Sequence, residues 1–88
     1  MEKFPLGQTV ITPNAEESLD VGSVATCIGR HVSGDWGDVD DEDKATNNEA
    51  LILGNRVVSA YKDSQGVKFW IITERDRSVT TVLLPEDY

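Results

Sequence analysis

The stretch RVVSAYKDSQGVKFWIITERDRSVTTVLL, residues 56–84, decides the fold that this sequence predicts. Three runs rich in β-branched and aromatic residues lie at 56–62, 67–73 and 79–84. Such a composition is typical of strands. DSQG, between the first two runs, is typical of a hairpin turn, and ERDRS is a second, more charged connection. These residues therefore predict an antiparallel meander of three strands.

The middle run predicts which side chains share a face of this sheet. Because side chains alternate along a strand, Val67, Phe69 and Ile71 should point one way. The opposite face receives Lys68, Trp70 and Ile72. Both faces are partly apolar, so we expect helices on one face, and either partial cover or a partner on the other.

The first half of the chain predicts a short strand followed by helices. GQTVIT, residues 7–12, is β-prone, and TPNAEESL then starts a helix with Thr12 as the cap and Pro13 in the first turn. A second helix is indicated by apolar residues at helical spacing, between a cap at Asp20 and a stop at Gly34. Its apolar face consists of Val21, Val24, Ala25, Ile28 and Val32.

The acidic stretch RHVSGDWGDVDDEDKATNNEA, residues 30–50, predicts the start of a third helix. Asp38 or Asp40 would cap it, and the acids that follow would stabilise the positive end of the helix dipole. Gly54 would end it, and Asn47 on its inner face would need a hydrogen-bond partner. The fold class is thus α+β, in one domain over residues 1–88, with a short N-terminal strand, two to three helices and the meander.

The net charge of the chain limits the kinds of ligand that it is expected to bind. The 88 residues carry 16 Asp and Glu against 8 Lys and Arg, a net charge of −8. Phosphate backbones are bound by clustered cations, so this balance argues against direct nucleic-acid binding unless the few basic residues meet in space. No run approaches the apolar length of a membrane span, and the N-terminus lacks a signal-peptide pattern. We expect a soluble cytoplasmic protein.

A calcium loop is the first kind of site to weigh in the acidic stretch. Asp38, Asp40, Glu42 and Glu49 have the spacing of EF-hand ligands. Asp43, however, stands where the sharp turn of that loop requires Gly. The same residues fit a capped helix better, so we predict no metal site and no cofactor.

Two sets of residues could carry catalysis. Cys27 and His31 lie on one side of the second helix, where they would form either a nucleophile pair or, as we favour, a packed thiol and a boundary histidine. A second set joins the same histidine to two cations and a hydroxyl, the parts needed to cleave RNA at its 2′-hydroxyl without metal. That set is His31, Arg75, Arg77 and Thr80.

This second set fits a resemblance in outline only. Helices followed by an antiparallel meander, over residues 30–84, are similar in topology to the RelE/barnase-like ribonuclease toxins, with no specific shared motif. Those toxins are usually basic, whereas this chain is acidic. A metal-independent ribonuclease is therefore the alternative hypothesis. The simpler interpretation of the Arg-Asp-Arg turn is a solvent-exposed hairpin turn with no catalytic role.

The leading functional hypothesis concerns an aromatic residue among acids. Trp36 would supply contact area and the acids would steer a basic protein partner, unless Trp36 folds back as a lid on the core. The predicted partner-binding residues are Asp35, Trp36, Asp38, Asp40 and Asp41.

The chain also resembles a family of short plasmid-related proteins of bacterial mobile elements. The residues that carry this resemblance are RHVSGDWGD (30–38), EDK (42–44), SAY (59–61) and WIITERDRSVTTVLLPEDY (70–88). The resemblance implies a bacterial source and a role in mobile-element biology, but no biochemical activity. We therefore expect a non-enzymatic accessory factor that binds a protein partner of unknown identity. A homodimer that pairs its open sheet faces is a further alternative.

Overall fold

Three α-helices and four strands make up an α+β fold in the computed structural model, which describes residues 2–88. In chain order the elements are β1 (Gln8–Ile11), α1 (Pro13–Ser18), α2 (Val21–Val32), α3 (Asp41–Leu53), β2 (Val57–Lys62), β3 (Lys68–Thr73), β4 (Val79–Leu83) and a final 3-10 turn, Pro85–Asp87. Among residues 2–88, no helix has both the length and the apolar character needed to cross a membrane.

The four strands form one mixed sheet in the order β1-β4-β3-β2. The predicted meander is confirmed, because β2 pairs antiparallel with β3 and β3 antiparallel with β4. The N-terminal strand joins this sheet parallel to β4, with the Gln8 N–H donating to the Ser78 carbonyl at 2.9 Å. The expected three-stranded sheet is thus extended to four strands. All three helices and two strands lie between β1 and β4 in the sequence, so no local sequence pattern predicts that these two strands pair.

Short polar side chains start each helix where the sequence predicts a cap. The side chains of Thr12, Asp20 and Asp40 each accept a backbone N–H of the following turn, at 3.2, 2.8 and 2.8 Å. The two candidates for the third helix are thereby resolved in favour of Asp40. Gly54 ends that helix in the left-handed region, with φ of 75°, which glycine adopts at low cost.

The buried face of α2 differs from the predicted one. Val24, Cys27, His31 and Val32 are buried, whereas Val21 is 85% exposed and Ala25 is also exposed. The predicted face was chosen from apolar residues alone and so left out histidine, yet His31 is the most deeply buried residue of this helix. The hydroxyl groups that receive it stand on strands far along the chain, so the helix is rotated toward them.

One face of the sheet is covered by helices, and the other is covered in part by the end of the chain. The main core lies under α1 and α2 and contains Ala15, Leu19, Val24, Cys27, Tyr61, Phe69, Ile71, Val82 and Leu84. On the opposite face, the Tyr88 ring meets the Trp70 ring edge-on at 5.6 Å. The Arg56 guanidinium donates to the Tyr88 hydroxyl at 2.6 Å, so the C-terminus supplies part of the cover.

The outer edge of β2 is closed by the acidic stretch and by α3. The Asn47 amide donates to the Val58 carbonyl at 2.8 Å and accepts the Val58 N–H at 3.1 Å, as a neighbouring strand would. The Ala60 N–H donates to the Trp36 carbonyl at 3.1 Å, and the Asp38 N–H donates to the Ala60 carbonyl at 2.7 Å. Asn47 therefore has the hydrogen-bond partner that its burial requires.

Candidate functional site

A chain of hydrogen bonds runs through the interior between α2 and the sheet. The fully buried His31 ring bonds through Nδ1 to the Ser59 hydroxyl at 2.5 Å and through Nε2 to the Thr73 hydroxyl at 2.9 Å. The Thr73 hydroxyl lies 2.7 Å from that of Thr80, which donates to the Leu6 carbonyl at 2.7 Å. The network thus ties α2, three strands and the N-terminal segment together.

The proton positions in this network follow from its last bond. Thr80 has one hydroxyl proton, which it donates to Leu6, so Thr80 accepts from Thr73. Thr73 must in turn accept from Nε2–H of His31. Burial, and secondly the positive charge of Arg77, lower the pKa of His31 to about 4. The imidazole is therefore neutral near pH 7, and its Nδ1 then accepts from the Ser59 hydroxyl.

Aromatic rings enclose this histidine. The Phe4 ring stands edge-on to the imidazole at 5.3 Å between centroids, and the Trp36 ring does so at 5.8 Å. The Arg77 guanidinium lies 5.4 Å from the centre of Phe4. Because His31 is 0% exposed, the network can position and stabilise the interior, but an RNA 2′-hydroxyl has no route to the imidazole.

The predicted ribonuclease residues come together only in part. His31 and Thr80 belong to the same network, and the Arg77 charge acts on the imidazole, whereas Arg75 is exposed on the turn between β3 and β4. Arg77 donates to the carbonyls of Asn55 at 2.7 Å and Ala50 at 3.3 Å, at the end of α3. The Arg77 guanidinium thus binds carbonyl groups at the C-terminal end of α3. The four predicted ribonuclease residues do not line an open cleft.

Trp36 is part of the core. Its side chain is 3% exposed, it stacks on Phe4 at 6.2 Å, and its indole N–H donates to the Asn48 side-chain oxygen at 2.9 Å. Of the two interpretations of Trp36, the fold-back onto the core is confirmed and the exposed anchor for a partner is wrong. Gly34 and Gly37, with φ of 84° and 75°, flank residues 35 and 36 and let the chain turn inward, which places the indole between α2 and α3.

The acids around Trp36 divide into two groups. Asp35 pairs with Arg30, Oδ2 to Nε at 2.8 Å, and this hydrogen bond lowers the pKa of Asp35. Asp40 caps α3. The carboxylates of Asp38 and Asp41 are exposed and make no hydrogen bond within residues 2–88. Half of the predicted acidic contact residues are therefore used within the fold, and the other half face solvent.

The remaining chemical candidates also have structural roles. Glu42 and Glu49 lie on α3, so the twelve-residue loop of an EF-hand does not form, and residues 2–88 contain no cluster of three or more potential metal ligands. Cys27 is buried, burial raises the pKa of its thiol, and both ring nitrogens of His31 bond elsewhere. The thiol is therefore a packing group and not an activated nucleophile.

The open edge of β1 is a feature that the sequence analysis missed. Gln8 and Thr12 donate their N–H groups to β4, so by alternation the N–H and C=O groups of Thr9 and Ile11 point away from the sheet. Among residues 2–88 no backbone group pairs with them. The composition of this strand could have indicated an edge that is free to pair. Edge strands are usually protected from pairing by charged residues or proline, and QTVI has neither.

An apolar groove of about 240 Å³ lies beside this edge, between β1 and α2. Its apolar lining includes Val10, Ile11, Leu19, Val21, Val24 and Ile28. Glu16 stands at its rim as the one charged residue of the lining. Val10, Ile11 and Val21 are exposed by 37%, 36% and 85%, so apolar surface and unpaired backbone groups occur at the same place.

Comparison of the chain with protein families, with curated proteins and with solved structures finds no match. The resemblance to plasmid-related proteins of mobile elements consequently stays a prediction. Three regions of the molecule are candidates for a function: the buried histidine network, the exposed acids Asp38 and Asp41, and the open edge of β1.

Proposed function

We propose that this chain is a non-enzymatic protein-binding domain whose main docking element is the open edge of β1. The observation that carries this proposal is the outward backbone of Thr9 and Ile11 beside the apolar groove. An extended segment that adds to a sheet edge gains affinity from backbone hydrogen bonds and specificity from pockets for alternate side chains. Both features are present at this edge.

The charges of the domain indicate the chemistry of the partner segment. The groove is apolar and has Glu16 at its rim, within a chain of net charge −8. We expect an extended segment with apolar side chains at alternate positions and a Lys or Arg opposite Glu16. The overall negative charge would raise the rate of encounter with such a basic partner and would slow encounters with acidic proteins.

The acidic surface has a supporting role in this proposal. Asp38 and Asp41 lie beyond the β2 edge, and β1 lies at the opposite edge, three strand spacings or about 15 Å away. These acids are too far to touch a segment seated on β1, but they would steer a partner and contact a basic part of its surface. In the mobile-element setting that the resemblance implies, the domain would be an accessory factor of another protein.

The test uses hydrogen exchange on a captured partner complex. The protein is used to isolate binders from bacterial lysate, and amide exchange of the free and bound domain is compared. We expect the Thr9 and Ile11 amides to become protected on binding, and Thr9→Pro, which removes one outward N–H, to weaken binding at least tenfold while the domain stays folded. Binding that leaves both amides unprotected would place the docking surface elsewhere.

Two controls separate the other occupants of this edge. Light scattering after size exclusion shows whether a second copy pairs with β1, in which case protection would appear with rising concentration and without a partner. Asp38→Ala with Asp41→Ala removes the exposed acids and leaves the Asp40 cap in place. We expect this pair of changes to slow association more than it speeds dissociation.

The ribonuclease alternative is favoured by the proximity of His31, Thr80 and the Arg77 charge, and disfavoured by their burial. Incubation of the protein with total RNA decides between the two. We expect the RNA to stay intact. Cleavage that disappears in a His31→Gln variant shown to be folded by circular dichroism would favour the ribonuclease.

A further inference from the structure

Two lysines face each other on the side of the sheet that the helices leave free. Lys62 at the end of β2 pairs directly with Lys68 at the start of β3. Two like charges directly opposite each other destabilise a pair of strands, because the Cβ atoms of such residues are only about 5 Å apart. Among residues 2–88, neither lysine has a carboxylate within ion-pair distance, in a chain with twice as many acids as bases. This pair is not explained by the fold.

The two lysines line a half-open cleft of about 470 Å³. Ala60 and the half-buried Trp70 stand next to them on the same sheet face, because Ala60 and Trp70 are the neighbouring cross-strand pair. Pro85 also lines the cleft, and the exposed Asp38 stands at the rim. The cleft thus combines an indole surface, two ammonium groups and one carboxylate.

We propose that this cleft binds a nucleoside phosphate. The phosphate would lie between the ammonium groups of Lys62 and Lys68, where it offsets their repulsion, and the base would stack on Trp70. The Asp38 carboxylate would accept a hydrogen bond from an N–H of the base. The same carboxylate repels a second phosphate at the rim, so it orients the ligand with its anionic end toward the lysines.

The net negative charge of the chain does not forbid this ligand. At physiological ionic strength, charges on the surface are screened over about 8 Å, so the groups inside the cleft dominate the local potential. Those groups are two cations and one anion. A net negative charge disfavours phosphate binding when the basic residues are dispersed, whereas Lys62 and Lys68 are adjacent in register.

This site is independent of the proposed docking edge. The cleft lies on β2 and β3 and the docking edge is β1, with β4 between them. Changes in the cleft leave the Thr9 and Ile11 backbone untouched, so failure of one proposal leaves the other standing. A nucleoside phosphate can be free or can belong to a single-stranded nucleic acid, and the experiment separates these sources.

The experiment is isothermal titration calorimetry of the full chain with four probes: guanosine 5′-monophosphate, guanosine, inorganic phosphate and a single-stranded hexanucleotide. We expect the monophosphate to bind at least tenfold more tightly than guanosine or phosphate alone, since of these three ligands only the monophosphate engages both the indole and the lysines. Comparable affinity for the hexanucleotide indicates a free nucleotide as the source. Affinity at least tenfold higher for the hexanucleotide indicates single-stranded nucleic acid.

The matched variants are Lys68→Glu in the cleft and Lys44→Glu on α3, which change the net charge equally. We expect Lys68→Glu to weaken binding at least tenfold and Lys44→Glu to change it less than twofold. Trp70→Phe, which keeps a ring for Tyr88 to pack on, should weaken binding severalfold. No binding of any probe at millimolar concentration, or equal losses in the two lysine variants, would overturn the proposal.

Discussion

At the scale of single residues, His31 has the clearest consequence for stability. Its pKa is lowered from 6.5 to about 4 by burial and by Arg77. The unfolded chain therefore binds more protons than the folded one between these values, so the free energy of unfolding falls as pH falls through this window. The carboxylates whose pKa values are lowered by hydrogen bonds add to this loss only below about pH 5, where the unfolded chain begins to take up protons on them.

We predict that the domain is about 2 kcal/mol less stable at pH 5 than at pH 7, because one pKa unit corresponds to about 1.4 kcal/mol. Urea denaturation at both values measures this difference. A His31→Gln variant, which cannot take up a proton, should lose the pH dependence in this range even if it is less stable throughout. An unchanged pH dependence in that variant would mean that another group titrates.

The direction assigned to the hydrogen-bond chain predicts the effect of removing one hydroxyl. Thr73→Val keeps the shape of the side chain but leaves Nε2–H of His31 without an acceptor and Thr80 without a donor. We expect a loss of about 2 kcal/mol in the free energy of unfolding. Thr81→Val, on the half-buried opposite face, is the matched control and should change stability by less than about 0.5 kcal/mol.

At the scale of elements, α3 depends on its N-cap. Asp40 accepts the Asp43 N–H, whereas the Asp38 side chain makes no bond to the helix. We predict that Asp40→Ala costs about 1 kcal/mol and that Asp38→Ala leaves stability nearly unchanged. Chemical denaturation of the two variants measures this difference. Equal losses would mean that the acids act through net charge and not through capping.

The helices and the meander could be predicted from sequence because their signals are local. Thr12, Asp20 and Asp40 each lie within three residues of the N–H group that they accept. The position of β1 in the sheet could not be predicted, since its partner strand lies about seventy positions later in the sequence and both strands are short. The open edge, which carries the proposed function, depends on that pairing and could not be located without it.

The candidate residues show the same division between local and distant information. The acids at the start of α3 were recognised because helix termini have a local charge preference. The burial of His31 was not predicted, because the hydroxyls that receive it come from Ser59 and Thr73. The fold-back of Trp36 was one of two alternatives, and the sequence could not identify Phe4 as the ring that it packs on. Lys62 and Lys68 gave no sequence signal either, since only the strand register places them opposite each other.

At the scale of the whole molecule, the burial of Trp36 determines how the acidic stretch can be tested. Trp36 packs on Phe4 and His31 in a chain of 88 residues, for which the whole free energy of unfolding is about 5–10 kcal/mol. We predict that Trp36→Ala costs about 3–5 kcal/mol, and thermal unfolding will measure it. Loss of partner binding in that variant would report unfolding, whereas Asp38→Ala with Asp41→Ala isolates the acids.

The central claim is that the β1 edge is open in the free protein and available to a partner. Amide hydrogen exchange along β1 at low protein concentration tests it most directly. We predict that the Thr9 and Ile11 amides exchange rapidly while the Val10 amide, which faces β4, is protected. Equal protection of all three amides would show that the edge is already occupied, and would contradict the account.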